Sequence, residues 1–151
     1  NFARTNSPSN ETLEEGADNT AVLGFEFDVE NGDVRIERVD VNVEATNASL
    51  EVKPWRYLDT VTLYSGSTKL GSIDGSRESN WKKVNSNGNV TSDYQLRFTG
   101  LKEIIRENKS ANLTVKVSVQ DSIDSDDLAQ TFSIFTSNVS LNSSCSLLVT
   151  F

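Results

Sequence analysis

Carboxylates are the side chains of this sequence whose type and spacing could do chemistry, and they are densest in residues 121–127. That run reads Asp-Ser-Ile-Asp-Ser-Asp-Asp. Calcium ions take roughly six to eight oxygen ligands, and carboxylates on a flexible loop can supply several of them. The run lacks the glycine and the closing glutamate of an EF-hand loop. It is therefore either a candidate Ca²⁺ site, formed by Asp121, Asp124 and Asp126, or simply a solvated turn.

The rest of the composition gives little support to catalysis. The sequence contains no histidine, which removes the commonest general base, the Ser-His-Asp arrangement and histidine-ligated metals. The two carboxylates of a glycosidase can lie far apart in a sequence, but nothing here selects such a pair. Cys145 is the only cysteine, so no internal disulfide can form, and we interpret it as a small residue in a strand. We therefore predict a non-enzymatic protein without a cofactor.

Four aromatic side chains offer a different kind of site. Trp55, Tyr57, Tyr64 and Trp81 could form a platform that stacks on sugar rings, although such residues are more often packed in a core or at its rim. The loops around Trp55 and Trp81 are also candidate surfaces for contact with a protein partner.

Seven Asn-x-Ser/Thr sequons could accept glycans in a secreted protein. Serine, threonine and asparagine are abundant in this sequence, so we expect several of these sequons by chance. Their asparagines are Asn10, Asn47, Asn89, Asn108, Asn112, Asn138 and Asn142.

The charge of the chain limits its partners. The formal net charge is -8 at pH 7, and an acidic surface repels phosphate backbones and anionic lipids. We therefore expect neither nucleic acid nor a membrane as a partner. No apolar run approaches the ~20 residues of a membrane-spanning helix. The sequence contains no methionine, so we expect that it was trimmed, processed or cut from a longer chain.

Apolar and polar residues alternate in short runs, which is typical of half-buried strands. Residues 58–73 predict a hairpin around Gly66, and residues 113–119 alternate most regularly. The apolar parity changes between Ile36 and Val39. That change predicts either a β-bulge or a strand that passes from one sheet to the other.

Turn residues divide these strands. Asn31 and Gly32 predict a hairpin, Gly100 is expected to end the strand over residues 94–99, and residues 101–106 are either one helical turn or an extended crossing. About eight short strands without a long amphipathic helix predict an all-β fold, a two-sheet antiparallel sandwich. The residues predicted to be buried between the sheets include Leu63, Phe98, Val115 and Val117.

Residues 1–19 are polar and contain both Pro8 and Gly16. We predict that they form an extended N-terminal arm, distinct from a sandwich domain at residues 20–151, because they carry too little apolar surface to order themselves. The arm would then become ordered only against a neighbour, with Phe2 and Leu13 as its anchors.

Three blocks of this sequence, taken in order, have a familiar arrangement. The first is the strand over residues 33–43, behind Phe25-Glu26-Phe27. The second is residues 61–72, and the third is residues 96–117. Together they resemble immunoglobulin-like β-sandwich modules of tailed-phage virion proteins, including capsid decoration proteins, and of bacterial surface proteins. The resemblance covers roughly residues 20–136.

The resemblance implies a module that binds, braces or displays. A single module with a polar arm fits a capsid decoration protein at the virion surface, whose partners are the capsid protein or sister copies in a homo-oligomer. The alternative is an adhesive or carbohydrate-binding module of a larger bacterial or archaeal cell-surface protein, which would be extracellular.

Overall fold

The computed structural model describes residues 2–5, 7–8, 12–45, 51–84, 93–127, 132–142 and 148–150. These residues form ten strands and three short 3-10 turns, at Pro54–Arg56, Glu78–Asn80 and Ser125–Asp127. The strands are β1 (Phe2–Arg4), β2 (Thr20–Val29), β3 (Val34–Ala45), β4 (Leu58–Ser65), β5 (Thr68–Asp74), β6 (Trp81–Val84), β7 (Asp93–Ile105), β8 (Lys109–Val119), β9 (Phe132–Asn142) and β10 (Leu148–Thr150).

The strands form two antiparallel sheets, which confirms the prediction of an all-β sandwich. The first sheet has the order β1-β2-β8-β4-β5, and the second has the order β10-β9-β3-β7-β6. β4 and β5 form the hairpin expected around Gly66. Along the described strands, the chain changes sheets five times, between β2 and β3, β3 and β4, β5 and β6, β7 and β8, and β8 and β9.

Alternation of apolar and polar residues along the strands places one face of each sheet in a shared core. Leu63, Phe98, Val115 and Val117 are each no more than 2% exposed, so the prediction of their burial is confirmed. The Phe98 ring lies over Gly71 of the facing sheet, where an added Cβ would stand 3.2 Å from Phe98 Cδ1. A glycine at position 71 therefore leaves room for the ring between the sheets.

An irregularity in β3 and β7 shows that a β-bulge, the first of the two predicted alternatives, causes the change of parity after Ile36. The register of β3 shifts between Ile36 and Arg38 against both β7 and β9. Between these two pairs β3 has only Glu37, whereas β7 has the three residues 100–102. Gly100 has a φ of 70°, a left-handed conformation that suits glycine. The expectation that Gly100 ends the strand is wrong, because β7 continues through it and residues 101–105 are extended.

The predicted hairpin at Asn31 and Gly32 is also wrong. This turn joins β2 to β3, which lie in different sheets, so it crosses the sandwich. The connection from β7 to β8 crosses at the same end, and the two crossings are joined through Asp33. Its Oδ2 accepts a hydrogen bond from Arg106 Nη1, and its Oδ1 accepts one from the Glu107 amide at 3.0 Å. The Glu107 amide and then Arg106 lower the pKa of Asp33.

The expectation that the arm orders only against a neighbour is wrong for its described residues. β1 pairs with β2, and the Thr5 amide donates to the Gly24 carbonyl at 3.0 Å. Further along, the Gly16 amide donates to the Gln120 carbonyl at 2.9 Å. Sheet-edge backbone groups need hydrogen-bond partners, and the arm supplies them although it has few apolar side chains. The division of the chain at residue 20 stays a prediction.

Candidate functional site

The acidic loop does not gather its carboxylates around one point. Asp121, Asp124 and Asp126 are all exposed. The Asp124 carboxylate instead accepts a hydrogen bond from the Asp126 amide at 3.2 Å, and Glu15 accepts one from the Ile123 amide at 2.7 Å. Within the described part of the chain, no three acidic or cysteine side chains form a group that could hold a metal ion. The structure therefore does not bring the three candidate ligands together.

The four aromatic residues do not form a platform. Tyr57 and Trp81 are only 8% and 7% exposed and belong to the core. Trp81 is held there because its Nε1 donates to the Gly75 carbonyl at 2.9 Å, which satisfies the buried indole N–H. This burial removes the Trp81 ring from the side chains that a partner could touch. Tyr64 lies partly exposed on the first sheet, with Lys116 Nζ 4.8 Å from its ring centre.

The other predicted partner residues also lie against the sandwich. Trp55 is half-buried and meets the Tyr94 ring edge-on, with 4.9 Å between ring centres. Leu13 is half-buried and packs against the core. Phe2 is in β1 and pairs with Phe27, while its side chain lies outside the described part of the structure.

The sequons are only partly described. Asn108 and Asn112 are exposed, and Asn138 and Asn142 lie in β9. The other three asparagines and Cys145 lie outside the described residues.

A row of polar side chains that the sequence analysis missed crosses the outer face of the second sheet. This polar ladder consists of Arg38, Asp40 and Asn42 on β3 with Gln95 and Arg97 on β7. Arg97 donates to both Asp40 oxygens, at 2.7 and 2.9 Å, and to Gln95 Oε1 at 3.2 Å. Gln95 Nε2 then donates to Asn42 Oδ1 at 3.1 Å. The ladder thus joins the two central strands through side chains as well as through their backbone bonds.

Asp40 is the centre of the polar ladder. Its side chain is 0% exposed, whereas that of Arg97 is 45% exposed. The hydrogen bonds to Asp40 raise the pKa of Arg97 above its ordinary value, so the guanidinium stays charged. Arg38 Nε lies 3.5 Å from Asp40 Oδ2 and has no hydrogen-bond partner among the described residues.

A groove lies beside the polar ladder where the bulge distorts β3 and β7. This outer groove has a volume of about 670 Å³. It is lined by Arg35, Glu37, Arg38, Gly100, Leu101, Lys102 and Ile104. Ile104 is 45% exposed, which makes it the most exposed large apolar side chain in the described part of the chain.

The bulge explains why these residues line one surface. Arg35 pairs directly with Ile104, and the unequal number of residues opposite Glu37 pushes residues 100–102 out of regular pairing. A groove with three cations and one carboxylate attracts acidic groups, and its apolar side chains can pack against a ligand. A cationic surface with an exposed apolar side chain therefore suits binding of an acidic ligand.

Comparison with protein-family models, curated proteins and solved structures finds no match to this chain. The resemblance to immunoglobulin-like virion modules accordingly stays a hypothesis. Within the described residues, no helix has the length and apolar character needed to cross a membrane.

Proposed function

We propose that this chain is a non-enzymatic structural protein of a virion, a capsid decoration protein built as an immunoglobulin-like module that docks through its outer groove. The observation that carries the proposal is the groove itself. Arg35, Arg38 and Lys102 surround exposed Ile104 on a chain whose net charge is -8. A local excess of positive charge on an acidic protein attracts acidic partners.

The rigidity of the groove supports a role in docking. It is formed by β3, which pairs with β7 on one side and with β9 on the other. The polar ladder holds Arg38 next to Asp40. A surface whose backbone is already fixed loses little conformational entropy on binding, so a modest contact area can give useful affinity.

The resemblance of residues 20–136 to virion modules suggests the particular partner. A symmetric shell presents many copies of the same acceptor surface, so weak contacts reinforce one another when the bound copies also touch. A small β-sandwich with a cationic groove fits this mode of attachment, and the proposal accordingly includes a location at the virion surface.

The proposal is tested by adding the purified chain back to particles from which it has been stripped. Wild-type protein should bind to a fixed stoichiometry. Lys102→Glu should reduce binding about tenfold, since it reverses a charge in the groove. Lys69→Glu is the matched control, because Lys69 is exposed on β5 of the first sheet and the charge change is the same.

Three outcomes would contradict the proposal. Binding without saturation would show that the chain sticks to particles nonspecifically. Equal binding by Lys102→Glu and Lys69→Glu would show that the groove is not the docking surface. Binding to polysaccharide in place of particles would favour the cell-surface module.

A further inference from the structure

The two ends of the sandwich differ in charge. One end contains the turn after β8 and the strand-free residues that precede β2. Six exposed carboxylates define this acidic end: Glu14, Glu15, Asp18, Asp121, Asp124 and Asp126. Arg56, on the neighbouring 3-10 turn, is exposed at the same end. The acidic end therefore has a clear excess of negative charge.

Backbone and side-chain hydrogen bonds hold the two parts of the acidic end together. The Gly16 amide donates to Gln120, and the Val119 amide donates to Ala17, at 2.9 and 2.8 Å. Ser118 Oγ donates to Asp18 at 2.5 Å. The carboxylates are thus presented on an anchored surface.

The outer groove lies near the opposite end of the sandwich. Arg35 and Ile104 form the second residue pair from the end of the β3–β7 ladder, next to the crossings at residues 30–33 and 106–108. β8 begins at this same end, at Lys109. β8 has 11 residues and ends at Val119, beside the acidic end. A strand of that length spans about 35 Å at roughly 3.3 Å per residue. A copy therefore cannot place its acidic end in its own groove.

We propose that the outer groove of one copy binds the acidic end of a second copy, so that copies associate head to tail. This inference rests on the proposed function, in which the groove is a binding surface, and it names a sister copy as the occupant. Charge complementarity favours this occupant, because the groove has three cations and the acidic end has six carboxylates. Arg35 and Lys102 form no ion pair with any carboxylate that the structure describes, so both are available.

A contact between the outer groove and the acidic end joins two different surfaces, so it is heterologous. Repeated from copy to copy, it gives either a closed ring or an open chain. Exposed ion pairs are weak and are screened by salt, so a single contact should be weak in dilute solution. On a particle the copies are held close together, and the high effective concentration strengthens the same contact.

Sedimentation equilibrium of the purified chain tests the inference. At an ionic strength of ~0.01 M, where the Debye length is about 30 Å, wild type should associate, and at ~1 M it should be a monomer. Lys102→Glu and Asp124→Lys should each weaken association about tenfold. Lys69→Glu, the control on the first sheet, should associate nearly as wild type does.

Charge exchange makes the test specific. An equimolar mixture of Lys102→Glu and Asp124→Lys should associate more strongly than either variant alone, because each reversed surface then meets a complementary one. A wild type that stays monomeric at low salt up to ~1 mM would overturn the inference, as would a mixture no stronger than its components.

The particle assay separates this inference from the proposed function. If no self-association is found but Lys102→Glu still weakens binding to particles, the groove binds the capsid and the head-to-tail contact is rejected. If Lys102→Glu binds both particles and sister copies as wild type does, both proposals fail.

Discussion

Truncation of Arg97 tests the polar ladder on the outer face of the second sheet. The Asp40 side chain is 0% exposed. Its two carboxylate oxygens accept hydrogen bonds from the Arg97 guanidinium, at 2.7 and 2.9 Å. Arg97→Ala removes these bonds and leaves a buried carboxylate. The closest remaining cation is Arg38, whose Nε lies 3.5 Å from Asp40 Oδ2 without a hydrogen bond. The variant should therefore unfold more easily than wild type.

The structure also limits the size of the effect. Breaking a fully buried ion pair costs about 3–5 kcal/mol. Here the Arg97 side chain is 45% exposed and Arg38 partly compensates, so we expect about 2–3 kcal/mol for Arg97→Ala. Asp40→Asn keeps the size of the side chain but replaces one accepting oxygen with an amide N–H₂ group, which faces an N–H donor of Arg97. This substitution should lower the free energy of unfolding by about 1.5–3 kcal/mol.

A double-mutant cycle isolates the interaction itself. Asp40→Ala and Arg97→Ala, alone and together, should give a coupling of about 2 kcal/mol in urea unfolding with unchanged m values. The matched control is the Arg77–Asp74 pair, whose side chains are 72% and 44% exposed, and its coupling should be about 0.2–1 kcal/mol. A coupling at Asp40–Arg97 no larger than that of the control would refute the reasoning.

Three further predictions concern the core, the arm and pH. Phe98→Ala should destabilise the fold by about 3–5 kcal/mol in urea, and a loss below about 1 kcal/mol would place the ring outside the core. A methyl group at Gly24 would stand 2.6 Å from the Ser7 carbonyl oxygen, so Gly24→Ala should remove amide-exchange protection from β1 while the other strands keep theirs. Unchanged protection there would contradict the described path of the arm. Hydrogen bonding from Tyr94 lowers the pKa of Glu51 from its usual 4.5. The unfolded chain therefore binds more protons, and stability should fall as the pH drops below 4.5, less steeply in Glu51→Gln.

Strands could be predicted from the sequence wherever one face of the strand is buried and the other is exposed to solvent. The regular alternation of β8 and the β4–β5 hairpin are examples, because burial of Leu63 or Val115 fixes the side on which every neighbour lies. The parity change after Ile36 likewise indicated an irregularity, and the structure shows that the first of the two explanations, a bulge, is the correct one. The alternation of apolar and polar residues is therefore enough to locate single strands and their irregularities.

Strand pairing was less predictable. Asn31 and Gly32 favour a tight turn whether the next strand returns beside β2 or enters the other sheet, and only the burial of distant strands decides between these outcomes. Gly100 was similarly ambiguous, because glycine can end a strand or occupy a bulge. The arm was misjudged because counting apolar side chains ignores the hydrogen bonds that the open edge of β2 offers.

The predicted calcium site and aromatic platform do not form in the described part of the chain, for a related reason. An aromatic residue can belong to the core or to the surface, and Trp81 is buried because Gly75 provides a partner for its indole N–H. The polar ladder shows in the sequence only as polar residues alternating with Val39 and Val41. Its meaning depends on the cross-strand pair Asp40–Arg97, which no single strand reveals.

The bulge links the parts of the site that the sequence keeps apart. In a regular ladder, each of residues 36–38 of β3 would pair with one residue of β7. The bulge interrupts this pairing, so backbone hydrogen bonds between the two strands are lost there. In return it moves residues 100–102 of β7 out of regular pairing with β3, so that Lys102 joins Arg35 around one groove. Bulges often occur where a strand must redirect a side chain. Because Asp40 and Arg97 of the adjoining polar ladder join β3 to β7 beside the distortion, the two strands that carry the groove stay connected next to the bulge.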